Sequence, residues 1–121
     1  MPPPRDPFVD FLLEQFAPLG QMHARAMFGG YCLYCDAVVF ALVADSALFL
    51  KADDLNRGAF EERRLKPFKP FPDRDDVMSY YEAPPEIFED PDQMRQWCGG
   101  AIEAGRRAQA KKGTRTKRAK R

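Results

Sequence analysis

The chain is 121 residues long, 45% hydrophobic and 31% charged, which is the length of one domain and the balance of a folded chain. Its longest apolar run, Ala37 to Ala44, falls far short of the ~20 residues a membrane-spanning helix needs, so no transmembrane segment is expected. The formal net charge of +1 hides an asymmetry: nine Lys and Arg and no acid lie in residues 106–121, leaving residues 1–105 with ten bases against eighteen acids, a net of −8.

The N-terminal MPPPRDP has one Arg, no apolar stretch and no small-residue cleavage site, and does not read as a signal peptide. Three cysteines, an odd number, argue against a disulfide framework. A reducing, cytoplasmic setting is therefore expected, with the thiols acting as small buried residues.

The spacing predicts a first helix over residues 7–17. Asp6 caps it, Pro7 takes the first helical position, and Phe8, Val9, Leu12, Leu13 and Phe16 share one apolar face before Pro18 and Gly20 end it. In the β region that follows, Met22, Ala24, Ala26 and Phe28 alternate with Gln21, His23, Arg25 and Met27. Gly29-Gly30 reads as a bulge or sharp bend, after which Tyr31 to Cys35 resumes the strand. Asp36-Ala37 and Asp45-Ser46 read as tight turns flanking strands at Val38–Val43 and Leu48–Leu50, and turns so short force antiparallel neighbours.

Asp53 or Asp54 is expected to cap a short helix to Glu62, burying Leu55, Ala59 and Phe60. Lys66 to Phe71 reads as an edge strand, because Pro67 and Pro70 cannot donate to a ladder, and Val77 to Tyr81 as a fifth strand. Asp90-Pro91 opens a last helix with Gln93 at capping-box spacing and a stripe of Met94, Trp97, Cys98, Ala101 and Ile102; Gly99-Gly100 should kink or fray it. The expected fold is a two-layer α+β domain over residues 1–105, in the order α-β-β-β-α-β-β-α, with an antiparallel sheet of about five strands packed by helices. Residues 106–121 have no apolar side chain larger than Ala and should form a basic disordered tail.

No constellation reads as catalytic. Cys32 and Cys35 have metal-ligand spacing, with Cys98 and His23 available to complete a set. On a strand, however, their odd separation puts them on opposite faces, so buried thiols are expected and neither a metal nor a cofactor. His23 is the only histidine and no serine sits in a nucleophile elbow. Asp53-Asp54, Glu61-Glu62 and Asp75-Asp76 suit caps and solvated surfaces better than acid/base chemistry. The candidate contact surface is Arg25, Met27, Phe28, Gly29, Gly30 and Tyr31: Arg offers a planar fork for a carboxylate, and the glycines allow close approach. The competing reading of Arg25 is an internal Arg–Asp pair that holds a bulge.

The segments Phe8-Val9-Asp10-Phe11-Leu12, Arg25-Ala26-Met27-Phe28-Gly29-Gly30-Tyr31, Leu33-Tyr34, Leu48-Phe49-Leu50-Lys51-Ala52-Asp53 and Met78-Ser79-Tyr80-Tyr81 resemble the TfoX N-terminal domain family. The resemblance spans Phe8 to Trp97, and R-x-M-F-G-G is its most specific run. It implies an α+β sheet like that of secretion chaperones, a link to bacterial competence regulators, and no catalytic residues to carry over. Full-length regulators of this kind have a second, C-terminal domain, where the basic tail follows here. The expectation is a non-enzymatic regulatory or interaction module that binds an unidentified protein, a second copy of the chain included, through its sheet. The alternative is a nucleic-acid-associated protein in which Arg106, Arg107, Lys111, Lys112, Arg115, Lys117, Arg118, Lys120 and Arg121 make non-specific phosphate contacts.

Overall fold

The computed structural model describes residues 6–27, 29–69 and 79–119, with side chains through Lys111 in the last helix. Helix α1 spans Pro7–Gln15, and its start follows the sequence: the Asp6 carboxylate accepts from the Phe8 amide at 2.9 Å. It stops short of residue 17. Pro18 has no N–H to bond back to the preceding turn, and Ala17–Leu19 tighten into a 3-10 turn.

Five strands follow: β1 (Met22–Met27), β2 (Gly30–Cys35), β3 (Val38–Ala44), β4 (Ala47–Lys51) and β5 (Tyr80–Glu82). They lie side by side in chain order, every neighbouring pair antiparallel, so the fold is α+β. Gly29-Gly30 is not a bulge within one strand. Met27 pairs with Gly30, and Gly29 at φ +82° sits in the two-residue turn that reverses the chain. Two adjacent glycines suit either arrangement; the pairing of Ala24 with Leu33 and Arg25 with Cys32 decides it. The other two hairpins close on Asp36-Ala37 (φ 50° and 70°) and Asp45-Ser46 (φ 50° and 60°). Positive φ at both central residues matches the right-handed twist of the flanking strands.

The register between β2 and β3 shifts by one residue, Leu33 opposing Ala41 while Tyr34 opposes Val39. Phe40 is the extra residue of this bulge, so Phe40 and Ala41 both reach the helix side. The Phe40 ring meets Phe16 edge-on at 5.9 Å.

Helix α2 (Arg57–Glu62) is shorter than expected, and neither Asp53 nor Asp54 caps it; Asn56 precedes it. Leu55 falls in the preceding turn and is 76% exposed, Ala59 is exposed as well, and Phe60 alone of the three is buried. The edge strand expected at 66–71 reduces to a single bridge between Pro67 and Tyr81, since a proline cannot continue a ladder. The fifth strand begins at Tyr80. Residues 70, 71, 77 and 78 of those two expected strands lie outside the described residues. With the early hairpin counted, the order becomes α-β-β-β-β-α-β-α.

Helix α3 (Pro91–Ala119) starts where Asp90 accepts from the Asp92 amide at 2.9 Å. Gln93 does not close a capping box; it accepts from the Trp97 indole at 3.1 Å. The helix passes through Gly99-Gly100 without a break, and Asn56 Nδ2 donates to the Gly100 carbonyl at 3.4 Å. It also runs on to Ala119, where a disordered tail was expected from Arg106. Ala, Arg, Lys and Gln are good helix formers, and contacts from Arg107 and Gln109 fasten this stretch to the domain. Val9 and Leu12 of α1, Phe16 just after it, Phe60 of α2 and Met94, Cys98, Ala101 and Ile102 of α3 pack with Leu33, Phe40, Val43 and Leu50 into one core. No helix among the described residues is long and apolar enough to cross a membrane.

Candidate interaction site

The helices leave the opposite face of the sheet for a second, smaller cluster. Strand alternation places His23, Arg25 and Met27 of β1, Cys32 and Tyr34 of β2, Val39 and Leu42 of β3, and Phe49 and Lys51 of β4 there. Cys32, Leu42 and Tyr80 are buried at its centre, with Tyr34, Val39, Phe49 and Phe68 half-buried around them. His23 stacks on Tyr34 at 4.7 Å and 2° between planes, and the Lys51 ammonium lies 4.8 Å from the Tyr80 ring centre. Burial, with Cys32 and Tyr34 beside it, pushes the Tyr80 hydroxyl up to about 12.

The six residues expected to form one contact surface are divided by this geometry. Arg25 and Met27 are exposed on the open face. Tyr31 turns to the helix side and packs on the main core. Gly29 occupies the turn. Gly30 presses against β3, so that a Cβ there would overlap the Val43 carbonyl oxygen. Phe28 lies outside the described residues. No carboxylate among the described residues forms the internal Arg–Asp pair with Arg25; the charge of Arg25 acts on the neighbouring Cys32.

The two edges of the sheet differ. At β5 the outer edge is closed: Phe68 donates to the Tyr80 carbonyl at 2.8 Å, and Glu82 donates to the Lys66 carbonyl at 2.9 Å. At β1 no segment among the described residues pairs with the outer edge. In a two-residue hairpin the pair flanking the turn exchanges both hydrogen bonds, so Met27, Arg25 and His23 bond inward to β2. Met22, Ala24 and Ala26 therefore direct their N–H and C=O groups outward.

The thiols are sequestered. Cys32 and Cys35 lie on opposite faces of the sheet, as the odd spacing predicts, and Cys98 lies in the core. Burial pushes Cys98 up to about 12 and raises Cys32 and Cys35 as well, the last aided by Asp36. Among the described residues no three His, Cys, Asp or Glu groups converge on a metal-sized gap.

A family model for the TfoX N-terminal domain matches residues 14–105. The chain belongs to the TfoX N-terminal domain family. No curated protein matches it in sequence. The matched span of this TfoX N-terminal domain contains the whole sheet and ends at Gly105, where α3 is pressed so close to β3 that a Cβ would overlap the Val39 carbonyl oxygen. The basic residues that follow lie beyond it.

Those residues separate as well. Arg106 pairs with Glu103 at 2.7 Å and Lys111 is exposed. Arg107 grips Asp53 with Nε to Oδ2 at 2.6 Å and Nη2 to Oδ1 at 3.0 Å. Lys112, Arg115, Lys117 and Arg118 are positions of α3, and Lys120 and Arg121 lie outside the described residues. Asp53, Lys51 and Tyr80 escaped sequence reasoning as site residues. Asp53 and Arg107 are 54 positions apart, and no local pattern links them.

Proposed function

We propose that this TfoX N-terminal domain is a non-enzymatic interaction module that takes an extended segment of a partner protein as a sixth strand on β1. The observation that carries the reading is the contrast between the two sheet edges, β5 closed by the 66–68 segment and β1 unpaired among the described residues. An unpaired six-residue edge is a template for strand addition, in which main-chain bonds supply affinity and alternate side chains supply specificity. The added strand would place alternate residues beside Arg25 and Met27 on the open face, which favours a carboxylate and an apolar side chain two positions apart. A reducing cytoplasmic setting suits three free, buried thiols, and a regulatory role is in keeping with the family.

The test is selection of a displayed random-peptide library on the intact chain, followed by affinity measurements on Ala26→Pro and Arg25→Glu variants. Proline at 26 removes an outward N–H and no bond to β2, so the fold is retained while the edge is blocked. The reading expects acidic, alternating peptides that lose at least tenfold in affinity (about 1.4 kcal/mol) to each variant. Failure to enrich peptides, or peptides indifferent to Ala26→Pro, overturns it.

A further inference from the structure

We infer that the C-terminal part of α3 is a rigid cationic ridge that binds the phosphate backbone of duplex DNA, an activity independent of the β1 edge. Ala104 and Gly105 are buried and residues 106–111 are not, yet the helix continues for fourteen residues beyond Gly105 to Ala119. From Arg106 onward it carries no acid.

Helical periodicity does not scatter the basic positions evenly. At 100° per residue, positions 107, 111, 115 and 118 fall within one 80° sector and follow i, i+4, i+8, i+11 spacing over about 16 Å of helix. Positions 106, 112 and 117 fall to either side of that sector. The ridge begins at a cleft lined by Lys51, Asp53, Asp54, Arg57, Arg107 and Lys111. Both carboxylates there are already held, Asp53 by Arg107 and Asp54 by Arg57 at 2.6 Å, so the lysines are in excess where the ridge starts. The fork of Arg107 on Asp53 also fixes the direction of the ridge relative to the domain.

Basic positions about one helical turn apart on a continuous helix suit a polyanion of regular charge spacing. Duplex DNA presents one phosphate charge per about 1.7 Å of its axis. Two alternatives fit less well. Binding of unpaired bases relies on aromatic platforms, and residues 106–121 contain no aromatic residue. Seating in a lipid surface needs an apolar face, and the stretch offers only Ala, Gly and Thr besides its polar groups. The −8 charge of residues 1–105 turns the domain away from the duplex and leaves the ridge as the contact.

The test is a salt-titrated anisotropy measurement with a mixed-sequence duplex of about 20 base pairs, comparing two double variants of equal charge. Arg107 is taken up by Asp53, so contact through positions 111, 115 and 118 predicts a log K against log salt slope of roughly −2.7. Lys111→Ala with Arg115→Ala should reduce the slope to roughly −0.9 and weaken binding about tenfold or more at low salt. Lys112→Ala with Lys117→Ala should leave both nearly unchanged. Equal losses in the two variants would mean a diffuse charged tail and overturn the ridge. So would tighter binding to the single strand of the same sequence, or no binding of the intact chain at low salt.

Discussion

Arg107 reaches back across the sequence to hold Asp53 in a two-pronged contact, and that pair fixes the middle of α3 to the turn that follows β4. The Arg107 guanidinium, with amides of Leu55 and Asn56, pulls the Asp53 carboxyl down to about 2 from an ordinary value near 3.8. A depressed carboxylate contributes stability above its unfolded pKa and loses it as pH falls through the folded one. The excess stability of the wild type over Asp53→Asn should therefore be constant above about pH 5 and vanish between about pH 4 and pH 2. The side chains are 35% and 25% exposed, so solvent screening limits the effect to about 1 kcal/mol. Melting curves of both proteins against pH check this.

The same pair makes truncation informative. Removing residues 111–121 spares Asp53–Arg107 and the bond from Gln109 to the Ala37 carbonyl. Removing residues 106–121 deletes both. The shorter cut should leave the melting temperature unchanged, and the longer one should lower it by several degrees, the equivalent of about 1 kcal/mol in a domain this size. Thermal melts of the two truncated chains make the comparison.

The glycines of the first hairpin should differ in cost. Gly29 has φ +82° and open space around its Cα, so Gly29→Ala meets only backbone strain, about 1 kcal/mol. Gly30 has ordinary dihedrals, but a Cβ there runs into the Val43 carbonyl oxygen and the backbone must shift. Gly30→Ala should cost about 2 kcal/mol and Gly30→Val more. Denaturant unfolding of the three variants gives the order.

All three thiols should be silent in the folded protein. Cys98 is fully buried and pushed up to about 12 by burial alone, and Cys32 and Cys35 are raised as well. A thiol-specific reagent should label none of them promptly at neutral pH and all three in denaturant. A raised thiol pKa also means that stability falls as pH climbs above the ordinary thiol range, because the unfolded chain ionises first. Because Cys32 and Cys35 face opposite sides of the sheet, purified protein should carry no stoichiometric zinc by elemental analysis.

The sequence revealed what is encoded locally. Asp6-Pro7 marks a helix start, Asp36-Ala37 and Asp45-Ser46 mark tight turns, and period-two alternation separates Cys32 from Cys35. It misled where one residue pattern serves two structures. Gly29-Gly30 suits a bulge or a hairpin, and only cross-strand pairing with residues up to Cys35 distinguishes them. Gly99-Gly100 lowers helix propensity, yet packing of Cys98, Ala101 and Ile102 on the core keeps α3 continuous. The tail looked disordered because nothing in it can join a core, but Arg107 is ordered by a carboxylate rather than by burial. The candidate site was half legible. Arg25 and Met27 stand out in the sequence, whereas the open edge beside them depends on which strand ends the sheet.

Amide hydrogen exchange along β1 tests the central claim most directly. In the free protein the amides of Met22, Ala24 and Ala26 point away from β2 and should exchange quickly, while those of His23, Arg25 and Met27 are protected. Binding of a selected acidic peptide should slow the first three and leave the second three unchanged, as a strand added to this edge requires. Slowing confined to the loops or to α3, with Ala24 and Ala26 still exchanging freely in the complex, would contradict the account.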